Sequence, residues 1–381
     1  MVPPRPHFLA PYKADLEALR GRDRLRALAG RSGLDFASND YLGLAESQEY
    51  REAARAALAR GVPLGAGGSR LLRGNHPEHE ALEEEAARFF GAQSAMFFGA
   101  GFSANEALLA TLPQRGDLIL YDELIHASAH EGMRLSRAQN LAVAHNDAGA
   151  FEAAIRAFQG TGRAWIVVES LYSMDGDIAP LAELAEIAAR HGAFLLIDEA
   201  HATGVLGPGG RGLAHGLEGQ DNIITLHTCG KALGLSGALV GLPRVLREFL
   251  INRCRNFIFA TAPSPLLAAS IRAALATNER ADDRRAALAA RVSRAGEALR
   301  SLARVAPSGT HIQPVIVGSD KRALLLAQRM QAQGNDVRAI RPPTVPDGSA
   351  RLRISLTLNV SDAQTDAMIA LLAQELALLP T

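Results

Sequence analysis

Short apolar runs recur through the middle of the chain, and stretches of helical length separate many of them. Ser94-Ala-Met-Phe-Phe98 reads as a buried strand, followed by the turn Gly99-Ala-Gly101 and a helix from about Phe102. Residues 117–121, 164–168, 193–197, 222–226 and 238–241 read as further strands. Between two of them, 180–191 reads as a helix, with Pro180 in its first turn and Gly192 at its exit. Strands that are apolar throughout, alternating with helices, predict an α/β fold with a mostly parallel sheet covered on both faces.

The pattern changes after about residue 262. Residues 263–302 read as one long Ala/Arg/Leu helical region, and 311–317, 321–333, 351–358 and 363–378 as a smaller set of strands and helices. The first forty residues, with Pro3, Pro4, Pro6 and Pro11, read as an arm plus one helix over 14–28. The predicted division is an arm and helix over 1–45, a large α/β domain over 46–275 and a small α+β domain over 276–381. A length of 381 residues suits two packed domains.

Composition narrows the function. Forty basic and forty acidic residues cancel, which argues against nucleic acid or an anionic membrane as a bulk partner. Two cysteines, Cys229 and Cys254, are too few for a disulfide framework. The start lacks a signal peptide's charged-then-apolar order, and no apolar stretch reaches the roughly 18 residues of a membrane span. The expectation is a soluble cytoplasmic protein.

Lysine is rare: Lys13, Lys231 and Lys321 stand against 37 arginines. Lys231 is the one formally charged side chain between Asn222 and Gly241. Arginine replaces lysine wherever a positive charge suffices, but not where an amine must lose its proton. A lysine among small and apolar residues is desolvated, and its amine becomes able to form a Schiff base.

Other polar residues fall where predicted strands end, which is where parallel α/β sheets bind ligands. Asp198 and His201 follow one strand, Ser173 and Asp175 another, His126 a third, and Thr228 with Lys231 a fourth. The turn at Gly101-Phe102 offers backbone N–H groups at a helix N-terminus, a setting for phosphate. Each residue alone is as well read as a cap, a turn or a core histidine. Together they fit pyridoxal 5'-phosphate, which needs a lysine, a carboxylate at the pyridine nitrogen and a phosphate cup. The string Asp198-Glu-Ala-His201 spells the DEAH of nucleotide-driven helicases, but that reading requires an upstream P-loop, which the sequence lacks.

These residues resemble the α-oxoamine synthases, fold-type-I pyridoxal phosphate enzymes (aspartate aminotransferase-like) that condense an amino acid with an acyl thioester and release CO2. The resemblance runs from about Phe36 to the C-terminus. It rests on Asn39-Asp-Tyr-Leu-Gly-Leu44, Gly65-Ala-Gly-Gly-Ser-Arg70, Gly74 with His79 and Leu82-Glu83, Ser173-Met-Asp-Gly-Asp177, Asp198-Glu-Ala-His-Ala-Thr-Gly204, Thr228-Cys-Gly-Lys231 and Arg351-Leu-Arg353. Ala339-Ile-Arg-Pro-Pro-Thr-Val-Pro346, Gly132-Met-Arg-Leu-Ser-Arg137 and Ala144-His-Asn-Asp147 look most like the biotin-pathway branch. That branch joins L-alanine to a pimeloyl thioester, on CoA or an acyl carrier protein; glycine-using sister branches are the alternative.

The resemblance implies roles by position. Lys231 would hold the cofactor and move the Cα proton, His126 would stack on the ring, and Asp198 would pair with the ring nitrogen. His201 and Ser173 would contact the phenolic oxygen side; Gly101, Phe102 and Thr228 would hold the phosphate. Thr261 would reach the phosphate of a neighbouring subunit, which implies a homodimer with shared active sites. Arg353 would bind the amino-acid carboxylate, with Asn39 nearby. Arg26, Arg341 and Thr344 would touch the acyl substrate, with Arg26 equally readable as part of a solvated helix face beside Arg20, Arg22, Arg24 and Arg31.

Overall fold

A computed structural model describes residues 8–302 and 305–380. The first seven residues of the predicted arm, with Pro3, Pro4 and Pro6, lie outside the described residues. Strand β1 (Leu34–Asp35) precedes β2 (Ser94–Phe98), β3 (Leu118–Asp122), β4 (Gln139–Val143), β5 (Ala164–Glu169), β6 (Phe194–Asp198), β7 (Ile223–Thr228) and β8 (Ala238–Leu242). The C-terminal part adds β9 (Ile312–Gly318), β10 (Asn335–Asp336), β11 (Arg338–Ile340) and β12 (Ala350–Ser355).

Strands β2 to β8 form one sheet in the order β2-β8-β7-β6-β5-β3-β4. β8 runs antiparallel to both neighbours, and the remaining pairs are parallel. The strands are apolar on both faces because both are covered. Ile119, Trp165, Val167, Leu196 and Ile224 pack on one side; Leu118, Leu120, Ile166, Leu195 and Ile197 pack on the other, against Leu184 and Ile187 of the helix Leu181–His191. A second, antiparallel sheet has the order β11-β12-β9. Its apolar face shares a core with Phe36, Tyr41 and Leu42 from the N-terminal part. Among the described residues no helix is long and apolar enough to cross a membrane.

Two predicted elements differ, and an edge strand is added. The N-terminal helix is Ala10–Gly21 rather than 14–28, because Pro11 occupies its first turn and Asp23, at φ +57°, turns the chain away. The predicted single helix over 263–302 is two, Pro265–Glu279 and Asp282–Arg300, broken where Asp282 and Asp283 favour a new N-terminus. Edge strand β4 escapes the hydrophobic pattern because its first four residues are exposed.

Candidate active site

The polar residues at the strand ends gather on one rim. Lys231 lies in the loop joining antiparallel β7 and β8. The amides of Cys229, Gly234 and Leu235 donate to the carbonyls of Gly237, Lys231 and Cys229, each at 2.8 Å. Gly234 is required there: its φ is +66°, and a Cβ would meet the Ala45 amide nitrogen at 2.6 Å. The loop holds Lys231 half-buried in the rim. Burial pulls its amine down to about 8, against the opposite pull of Asp198 and Glu169; Arg353 adds to the downward pull.

Asp198 ends β6 and is buried. Its Oδ2 accepts from Asn105 Nδ2 at 2.7 Å and its Oδ1 from the Ala200 amide at 2.9 Å. Asn105 also donates to Ser128 Oγ at 3.0 Å, and Ser128 Oγ lies 2.8 Å from His126 Nδ1. A chain of hydrogen bonds thus joins exposed His126 to buried Asp198. In the parallel register Glu169 is the partner of Asp198. Its buried carboxyl is pushed up to about 8 by desolvation and then by Asp198. Its Oε2 accepts from the Ser173 amide at 3.0 Å, while Oε1 has no partner.

Buried His201 is held well below the usual imidazole range by burial, then by Lys231 and Arg353. Its Nδ1 lies 2.6 Å from the Tyr41 hydroxyl, which also donates to Asn39 Oδ1 at 2.9 Å. Arg353 Nη2 donates to that same hydroxyl at 3.2 Å, and its Nη1 to Ser355 Oγ at 2.8 Å. Arg353 Nε donates to the Ser173 carbonyl. Asn39, His201, Arg353 and Ser173 therefore meet around Tyr41 and one loop, as expected of one binding site.

The helix Gly101–Thr111 starts with Ala100 as its cap residue, and no side chain caps it. Its first backbone N–H groups remain free for an anion. A Cβ on Gly101 would lie 3.4 Å from Thr228 Oγ1, so the turn and the threonine form one cradle. Thr261 is exposed and lines a cavity of about 550 Å³ with Gly99, Ser103 and Phe259, beside that cradle. Phe102 meets His126 edge-on, with ring centroids 6.5 Å apart.

On the open side a cavity of about 470 Å³ is lined by Arg26, His126, Ser173, Thr344 and others. Arg26 Nη2 donates to Thr344 Oγ1 at 3.2 Å. Arg341 turns instead onto the Asp23 carbonyl. The rim fits pyridoxal phosphate on its own geometry: a desolvated amine, a braced carboxylate and an uncapped helix N-terminus. Tyr41, Asn105, Ser128 and Glu169 join the site without standing out in the sequence. The available signals were Ser128 two residues after His126, and Asn105 one helical turn after Gly101 on the same face.

The aminotransferase class I and II family model matches residues 31–372. An 8-amino-7-oxononanoate synthase of Marinobacter nauticus is 42% identical over 353 residues, covering 92% of this chain and 89% of the relative. The chain belongs to the class I and II aminotransferases, in their 8-amino-7-oxononanoate synthase family. The fold is that of the fold-type-I transferases. A serine palmitoyltransferase from S. paucimobilis with bound PLP–myriocin superposes at a TM-score of 0.88, with 25% identity, over 96% of this chain and 97% of that one. An 8-amino-7-oxononanoate synthase from Francisella tularensis superposes at 0.77, with 29% identity, over 91% and 98%. The shapes rank the palmitoyltransferase higher, but 42% identity to a synthase outweighs a backbone likeness shared by branches with different substrates.

Proposed function

We propose that the protein binds pyridoxal phosphate and joins L-alanine to a pimeloyl thioester, on CoA or an acyl carrier protein, giving 8-amino-7-oxononanoate, CO2 and the free thiol. The carrying observation is the half-buried Lys231, its amine lowered to about 8, on one rim with braced Asp198 and buried Arg353. Bound, the cofactor supplies an electron sink for a carbanion at the amino-acid Cα. Lys231 would anchor it, and its Nζ would take the Cα proton; an amine near neutral pKa suits that task. Asp198 would keep the proton on the pyridine nitrogen, and Asn105 and the Ala200 amide hold its carboxylate in place. His126 would cover the ring, and His201 and Ser173 would serve its phenolic oxygen side. Gly101, Phe102 and Thr228 would hold the phosphate. Arg353 orients the amino-acid carboxylate beside Asn39. Arg26 and Thr344 receive the acyl chain in the open cavity, and Arg341 supports that wall through Asp23. Exposed Thr261, beside the phosphate cradle, favours a homodimer in which it completes the neighbour's site.

The lowered Lys231 amine sets a pH dependence. At pH 7 about a tenth of an amine titrating near 8 is free, against well under a thousandth for an ordinary lysine. Capture of pyridoxal phosphate by the apoprotein will therefore quicken about fivefold from pH 7 to 8 and level off above 9, followed by absorbance in a stopped-flow experiment. A rate still climbing about sevenfold between pH 9 and 10 would point to an unshifted lysine. Alanine and glycine, compared with the same thioester, separate this activity from a glycine-using sister.

A further inference from the structure

A second polar cluster lies behind the Ser173 loop and takes no part in the chemistry above. His145 follows β4. Its Nδ1 lies 2.8 Å from Asp122 Oδ1 and its Nε2 2.6 Å from Asp177 Oδ2. Both ring nitrogens face carboxylates, so both carry protons and the ring is an imidazolium. Asn146, at φ +54°, doubles the link: its amide donates to Asp122 Oδ2 at 2.9 Å, and its Nδ2 to Asp177 Oδ2 at 2.7 Å. Tyr172 packs edge-on against His145, with centroids 4.5 Å apart.

Asp177 closes the loop that carries the site. The Tyr172 amide donates to the Asp177 carbonyl at 2.9 Å, and the Gly176 amide to the Tyr172 carbonyl at 2.9 Å. Between these bonds lie Ser173, whose carbonyl accepts from Arg353, and Asp175, whose carboxylate accepts from Arg351. Gly176 has φ +73°, and a Cβ there would meet the Ile312 carbonyl at 2.3 Å, so the loop seats against β9 in one way. Tyr172, Ser173, Met174 and Asp175 all line the open cavity.

We infer that His145, with Asn146, is a positioning residue: it clamps Asp177 to Asp122 and so fixes the Ser173 loop, and through it Arg353, for amino-acid binding. This rests on the proposed role of Arg353 as the carboxylate anchor. The clamp ties the Ser173 loop to the end of β3, whose Asp122 does not itself line the cavity.

The test uses the cofactor-loaded protein. His145→Gln will raise the calorimetric Kd for L-alanine about tenfold and KM in parallel, with kcat within about threefold and cofactor content unchanged. Asn146→Gly keeps the backbone conformation, removes one link to Asp177 and will shift Kd in the same direction by a smaller factor. It carries the test if His145→Gln does not fold. Asp177→Asn will weaken alanine binding too, and the His145→Gln/Asp177→Asn double variant will lose no more than the worse single one. Variants that lower the melting temperature but leave alanine Kd and KM at wild-type values would reduce the cluster to a structural brace and overturn the inference. Failure of the parent protein to bind alanine would instead count against the proposed function.

Discussion

Lys231→Ala will abolish the yellow absorbance of the covalently held cofactor and lower turnover by at least about a thousandfold. The magnitude follows from two functions resting on one amine. The loop between β7 and β8 holds Lys231 on the rim by three backbone bonds. Lys13 and Lys321, the other lysines, lie on the helices Ala10–Gly21 and Asp320–Ala332, away from the rim. Lys231→Arg will be as inactive, because a guanidinium keeps its proton at any working pH. An unchanged spectrum with wild-type turnover in either variant would remove Lys231 from the mechanism.

Asp198→Asn will leave the cofactor bound and cut kcat by about a hundred- to a thousandfold, with the Kd for L-alanine changed little. The carboxylate accepts at both oxygens, from Asn105 and from the Ala200 amide. An asparagine has one acceptor, so its amide nitrogen must oppose one of those donors; a bond is lost together with the charge. Asn105→Ala tests the brace alone and will give a smaller loss of the same kind, since Asp198 keeps its charge but loses one fixed partner. Measured kcat within threefold of wild type for Asp198→Asn would mean that no charge at the ring nitrogen is needed.

Much of the rim was legible in the sequence for a simple physical reason. A parallel sheet places residues at strand ends on one edge, so Ser173, Asp198, His201 and Thr228 could be assembled from apolar runs alone. The residues that were not legible depend on pairings across the fold. Glu169 becomes unusual only because β5 lies beside β6 in a register that sets it opposite Asp198. Tyr41 becomes a hub only once the N-terminal segment packs against β12 and Arg353. His145 follows an edge strand that is exposed and therefore carries no hydrophobic period, so neither β4 nor the clamp at its end showed in the pattern. The N-terminal helix and the 263–302 region depart from the sequence pattern at points where a turn residue or a pair of acids outweighs Ala-rich helical spacing.

Product analysis decides the activity. The purified, cofactor-loaded protein is given L-alanine with pimeloyl-CoA, and separately with the pimeloyl carrier protein, and the mixture is read by mass spectrometry. The expected result is 8-amino-7-oxononanoate and one CO2 per thiol released with at least one carrier, and faster turnover with alanine than with glycine. Condensation only with glycine, or no amino ketone from a protein that holds pyridoxal phosphate on Lys231, would contradict it.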